Sequence, residues 1–208
     1  MKVEEQIMEE EQAIVRLKNG DLSGLEALVS QHQVQAVTAA YLIVQDLKLA
    51  EDIVQTAFLH AAEKINQFDE TRPFRPWFLK SVIHAAIKAD KQQRRLISID
   101  EDNFDETAEM IRWLSDPDQD PQKIVETEEI RQMVRNALLH MTTEQRAVII
   151  MRYFLDMSEK EMIQSLNRPS TTVRWRLRAA RKKLKALLLP LWAAEDKRSE
   201  TDGERKQK

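Results

Sequence analysis

Proline sets the limits of this chain. Six of its 208 residues are proline and three are glycine. Pro73 and Pro76 interrupt the segment QFDETRPFRP, Pro117 and Pro121 punctuate SDPDQDP, Pro169 follows Asn167-Arg168, and Pro190 heads the tail. Inside a helix, proline removes a backbone donor and clashes with the carbonyl four residues earlier, so helices tend to end before it or begin at it. With so few turn residues elsewhere, long helices form easily and a turn-rich β architecture is excluded.

Between these breaks, apolar residues recur at helical spacing. A short helix is expected over 5–18, ended by Asn19-Gly20. Ser23 and Glu26 have the spacing of a capping box for a second helix that runs to about Gln45. A third spans roughly 49–66, with Val54, Ala57, Ala61, Ile65 and Phe68 along one face. A fourth runs to Arg95 with Pro76 in its first turn. Residues 96–121 carry no stripe and read as a flexible acidic linker, although Ile111, Trp113 and Leu114 offer apolar docking points. Helices follow at about 122–140, 143–155, 158–166 and 170–188, and Thr142/Gln145 and Ser158/Glu161 have capping-box spacing. The polar tail over 190–208 is expected to be disordered. The expectation is an all-α protein. An acidic segment (1–19) precedes a first helical domain (20–95), the linker (96–121), a second helical domain (122–189) and the tail.

Charge divides at the same places. Residues 96–135 carry 4 basic and 12 acidic side chains, whereas 136–189 carry 11 and 4, within a chain of formal net charge −3. Modules this different in sign are expected to meet different partners. The absence of cysteine excludes disulfides, thiolate metal sites and a thiol nucleophile. The N-terminus MKVEEQIMEEEQ lacks the apolar core of a signal peptide, and no apolar run approaches the roughly 18 residues of a membrane span. A soluble, cytoplasmic protein is expected. Four isolated histidines at 32, 60, 84 and 140 suggest no metal set. No nucleophile–base pair or glycine-rich phosphate loop is present, so neither an enzyme nor a cofactor is expected.

The strongest local signal is SEKEMIQSLNRPSTTVRWRLRAARKKL. Val173, Leu177, Ala180 and Leu184 form one apolar stripe, and Arg174, Arg178, Arg181, Lys182 and Lys185 lie mostly off it. Asn167 suits a left-handed helix end, and Ser170 suits the cap of the next helix. Two short helices joined by a tight turn, the second strongly basic, describe a helix-turn-helix. Its second helix would place Thr171, Thr172, Arg174, Trp175 and Arg178 at base edges or phosphates, with later cations on the backbone. A solvated basic helix that binds nothing is the plain alternative.

These residues resemble a known family. LLHMTTEQRAVIIMRYFLDMSEKEMIQSLNRPSTTVRWRLRAARKKLKALL is similar to the C-terminal domain of extracytoplasmic-function (ECF) sigma factors of bacterial RNA polymerase, through Arg146, Glu161, Thr172, Val173, Arg176, Leu177, Ala180, Arg181 and Leu184. AEDIVQTAFLHAAEKINQF (50–68) and FRPWFLKSVIHAAI (74–87) resemble two helices of that family's sigma-two domain. The order and separation of the motifs agree over most of 20–190. The chain departs from the pattern at Thr171, where glycine is usual, at Trp175, where serine is usual, and at Ile163, Asn167, Arg168 and His84.

The resemblance implies a sigma factor that gives polymerase its promoter specificity. Glu51, Asp52 and Gln55 would meet the polymerase clamp. The minus-ten element would fall to Asn66, Asp69, Arg72, Trp77, Lys80, His84, Lys88, Lys91 and Arg95. The loop 66–75 would capture a flipped-out base there, at an unstacking cost on the order of a few kcal/mol. Phe74 and Trp77 are stacking candidates, although aromatics at this spacing more often belong to a core. The minus-thirty-five element would be read by Ser170, Thr171, Thr172, Arg174, Trp175, Arg176, Arg178, Arg181 and Lys182. The implied partners are core polymerase, promoter DNA and an anti-sigma factor. The residues alone leave open a helix-turn-helix regulator that acts without polymerase, or a helical adaptor that binds only protein.

Overall fold

A computed structural model of the protein describes residues 2–96 and 121–205, with side chains over 8–93 and 130–189. The described elements are all helical, as the all-α expectation requires. They are α1 (Lys2–Lys18), α2 (Ser23–Val44), α3 (Leu47–Lys64) with a 3-10 turn at Ile65–Gln67, and α4 (Phe74–Leu96). After these come α5 (Pro121–Leu139), α6 (Thr143–Ile149) running into a π-turn at Ile150–Phe154, α7 (Glu159–Leu166) and α8 (Ser170–Arg205). The acidic linker, including Ile111, Trp113 and Leu114, lies outside the described residues.

In the first half, α2 is the central helix and packs against α1, α3 and α4. Glycine at position 24 permits the close approach of α1: a Cβ there would lie 2.2 Å from the Ala13 carbonyl oxygen. The predicted stripe of α3 is buried from Val54 through Phe68. Against it sits an aromatic cluster. Phe58 stacks on Phe78 at 4.3 Å, Phe74 on Phe78 at 5.7 Å, and Phe68 meets Trp77 at 5.1 Å. Two boundaries differ from expectation. Ser23 is a helical residue rather than a cap; Leu22 occupies the cap position without a side-chain bond, and Asp21 Oδ1 accepts from Ser23 N at 2.9 Å. Asp46 caps α3 by accepting from Leu49 N at 2.9 Å, which starts that helix earlier.

The second half sets two short helices, α6 and α7, between two longer ones. Thr142 and Ser158 both form complete capping boxes, with Gln145 and Glu161. Asn167 ends α7 in the left-handed conformation, at φ 47°. The expected helix 143–155 instead widens into the π-turn, where Leu155 N donates to Ile150 O at 3.0 Å and Met157 N to Met151 O at 2.9 Å. Pro169 O accepts from Val173 N at 3.1 Å, so Ser170 is a first-turn residue of α8 rather than its cap. Val173, Leu177 and Ala180 are buried and Leu184 is half-buried. The segment expected to be a disordered tail continues α8 to Arg205.

The two halves touch. α2 packs against α6 and its π-turn, and α4 packs against α6 and α7. Buried apolar residues of both halves belong to one connected cluster.

Candidate nucleic-acid interface

The basic stripe of α4 follows directly from helical spacing. Lys80, His84, Lys88 and Lys91 are all exposed along one face. Arg95 continues the same helix, but its side chain lies outside the described residues. One turn around α4 the chemistry reverses: Asp90 is buried, at 3% exposure.

The loop before α4 is held from several sides. Asp69 accepts from Thr71 N at 3.1 Å and Thr71 Oγ1 at 2.6 Å, and pairs with Arg72 at 3.2 Å. The Thr71 hydrogen bonds hold the Asp69 carboxyl below the usual carboxylate range. Lys18, at the end of α1, donates to the Phe68 carbonyl at 2.9 Å and pairs with Glu70 at 2.6 Å. Asn66, Asp69 and Arg72 are exposed. Phe74 is fully buried and is therefore core, while Trp77 is half-buried against Phe68 and Phe74.

On α3, Glu51, Asp52 and Gln55 are exposed together. Leu59, four residues after Gln55, is 57% exposed. It extends this face with an apolar group that charge-led reading passed over.

The helix-turn-helix comprises α7, the Asn167–Pro169 turn and α8. Helical geometry puts Thr171, Trp175, Arg178 and Lys182 on the ridge opposite the buried stripe. Trp175 is 70% exposed. Arg174 pairs with Glu159 at 2.5 Å, which ties the two helices together. Arg181 lies over the ring of the exposed Tyr153, 5.7 Å from its centroid, so the π-turn borders the same basic surface. Ser170 and Thr172 are half-buried.

Arg176 takes the other side of α8. With His84, Lys91, Glu144, Leu166 and Arg168 it lines a cavity of about 190 Å³ between the two halves. Lys91 pairs with Glu144 at 2.5 Å. That hydrogen bond, assisted by the charge of Arg176, holds the Glu144 carboxyl below its ordinary value. Below the cavity, Asp90 accepts from Thr143 Oγ1 and pairs with Arg146 at 2.6 Å; the Arg146 side chain is fully buried. Arg75 donates to the Leu155 carbonyl at 2.9 Å and to Gln35 at 2.7 Å. Arg146 stood out in the sequence only as a motif match, and Asp90 and Glu144 gave no signal.

No helix among the described residues is long and apolar enough to cross a membrane. Residues 28–96 match sigma-70 region 2, and residues 131–184 match sigma-70, region 4; together they cover more than half of the chain. The chain is similar to the ECF RNA polymerase sigma factor SigW of Bacillus subtilis, 25% identical over 86% of this chain and 96% of that protein. It is equally similar to the ECF RNA polymerase sigma-E factor of Escherichia coli K12, 25% identical over 86% and 93%. Among solved structures, CnrH in complex with the cytosolic domain of CnrY superimposes with a TM-score of 0.59 over 86% of this chain and 97% of that one, at 22% identity. The sigma factor RpoE with the anti-sigma factor NepR from Bartonella quintana gives 0.56 over 78% and 94%, at 18% identity. At these identities the two structures speak for the fold.

Proposed function

The chain belongs to the sigma-70 family, as an ECF-type RNA polymerase sigma factor that acts in transcription initiation, and on that premise we propose how its residues divide the work. The observation that carries the proposal is the ordered pair of modules. A region-two half presents an acidic helix face and a basic one, and a region-four half presents a basic recognition ridge. A helix-turn-helix regulator acting alone would have no use for the first of these.

The exposed face Glu51–Asp52–Gln55, with Leu59, docks on a basic surface of the core polymerase clamp. Because α3 starts at Leu47, Glu51 and Asp52 lie past its first turn, where the macrodipole acts only weakly, and their charge is left for a partner. The loop Asn66–Arg72 receives an unstacked base of the minus-ten element. Its internal bonds, including those from Lys18 and Thr71, reduce the ordering left to do on binding. Trp77 flanks that loop as an edge of the aromatic cluster. Lys80, His84, Lys88, Lys91 and Arg95 follow the backbone of the opened strand, a contact that weakens with salt.

The outer ridge of α8 enters the major groove of the minus-thirty-five element. Thr171, Trp175, Arg178 and Lys182 lead, with Arg174, Arg181, Ser170 and Thr172 beside them. Trp175 offers an apolar ring where the family carries a small hydroxyl, which favours contact with a thymine methyl. The chemistry of RNA synthesis stays with the polymerase core, in the cytoplasm where the chromosome lies. An anti-sigma factor is the expected inhibitory partner.

Run-off transcription with purified core polymerase on a genomic promoter pool tests this reading. Discrete transcripts that depend on the added protein are expected, and their start sites give both promoter elements. Core polymerase that neither binds the protein nor gains selective initiation would overturn it.

A further inference from the structure

Arg174 and Arg181, on one edge of α8, each have a companion from an earlier element, and the companions differ in kind. Their spacing along the sequence places them within about 20° of the same helix face and about 10.5 Å apart along its axis. Arg174 pairs with Glu159 of α7 at 2.5 Å, so a carboxylate already balances its charge. Arg181 lies over the ring of Tyr153, 5.7 Å from the centroid. Among the described residues no carboxylate pairs with Arg181.

The place of Tyr153 is fixed by the π-turn that carries it. Ile150 and Leu155 are buried on either side, and Leu155 N donates to Ile150 O at 3.0 Å. Met157 N donates to Met151 O at 2.9 Å, and Arg152 donates to the Met157 carbonyl at 2.9 Å. The widened turn leaves Tyr153 60% exposed, so the ring adds little to the core. Its face is given to a cation of the recognition helix instead.

We propose that Tyr153 is a positioning residue for duplex binding: its ring presents Arg181, with the charge uncompensated, to a phosphate of the minus-thirty-five element. This rests on the assignment of α8 to that element. An unheld arginine gives up rotamer freedom when it binds. A ring that holds the guanidinium beforehand lowers that cost. A carboxylate would hold it too, but at the expense of the charge, as Glu159 does for Arg174. An aromatic face attracts a cation without neutralising it. Arg181 therefore keeps its fork of N–H donors for phosphate oxygens. Its charge still releases a counterion from the duplex. The π-turn thereby becomes a third part of the duplex-binding surface, beside α7 and α8.

The test uses the full chain and a duplex of about 30 base pairs of random sequence at low salt, because a phosphate contact needs no particular base. Arg181→Ala is expected to lower the slope of log affinity against log salt by about one. Tyr153→Ala and Tyr153→Leu are each expected to weaken binding about threefold, the scale of an exposed cation–π contact. Leucine keeps an apolar group on the turn but has no π face, so it separates the ring's attraction from its bulk. Tyr153→Phe keeps the face and is expected to bind as the wild type does. In an Arg181→Ala background, Tyr153→Ala is expected to add no further loss, since its effect runs through that one cation. The proposal is overturned if Tyr153→Leu binds as tightly as the wild type, if Tyr153→Phe loses as much as Tyr153→Leu, or if the loss persists without Arg181. Each of those outcomes leaves promoter-directed transcription with core polymerase intact. Absence of that transcription in the wild type overturns the assignment of α8 itself.

Discussion

The two halves reach stable helices by opposite means. In the first, helices of 17 to 23 residues surround an aromatic cluster of Phe58, Phe68, Phe74 and Phe78. In the second, helices of seven and eight residues precede the recognition helix. There the core is aliphatic and rich in methionine: Met141, Met151, Met157 and Met162 are buried beside Ile150 and Leu155. Short helices repay little of their nucleation cost from their own backbone bonds. Two complete capping boxes stand where that cost is greatest. The lesson is that burial carries the bundle, while end chemistry decides whether the helix-turn-helix is properly shaped.

The largest break in this comparison should come from the aromatic cluster. Phe78→Ala is expected to cost about 3–5 kcal/mol, as large-to-small changes of buried Phe do, read as a fall in the thermal midpoint. A loss below about 1 kcal/mol, within the range of a surface change, would mean that the cluster is not what holds the first half. Next in size is Arg178→Ala, which should weaken duplex binding by about 1–3 kcal/mol if the side chain reads a base, and lower the salt slope by about one if it meets a phosphate. A titration series in salt separates the two, and an unchanged affinity removes Arg178 from the interface.

Ser158→Ala should cost about 1 kcal/mol, and its effect should be concentrated in α7. Hydrogen exchange is the discriminating measurement: the amides of α7 should lose protection while those of α3 keep theirs. Acid should act on the same cap. Bonds from Ser158 depress the Glu161 carboxyl, and the bond from Lys91 depresses that of Glu144. A depressed folded value contributes stability above the ordinary carboxylate pKa, about 4.3 for Glu, that is lost as pH falls through the folded value. Unfolding followed from pH 6 to pH 3 should therefore show a shallower acid loss in Glu161→Gln than in the wild type. The smallest effect is expected for Trp175→Ala, within about 0.5 kcal/mol in stability because the ring is 70% exposed. A larger loss would mean that this ring supports the fold.

Much of the helix plan was legible because its signals are local. Thr142, Ser158 and Asn167 sit where capping and left-handed geometry require them, and the structure uses all three. The stripe from Val54 to Phe68 is buried as its spacing demanded. Ser23 misled because Glu26 N, the donor a Ser23 cap would take, goes to the Leu22 carbonyl, while Asp21 accepts from Ser23 N. The π-turn at Ile150–Phe154 left no trace in periodicity, since one extra residue in a turn blurs the pattern rather than replacing it. Leu59 and Tyr153 were missed because an exposed apolar side chain in a helix resembles any core residue until its neighbours are known.

Sequence by itself determined which residues share a helix face: Lys80, His84, Lys88 and Lys91 on one, and Val173, Leu177, Ala180 and Leu184 on another. Spacing along a helix is a property of the backbone, and no neighbour is needed to fix it. Only tertiary structure decided what each face meets. It turned Arg176 toward His84 and Lys91, gave Glu144 to Lys91, and buried Asp90 against Arg146, which is 56 residues distant in the chain. Those choices depend on how two separately patterned bodies pack, and an ion pair between them has no period for a sequence to display.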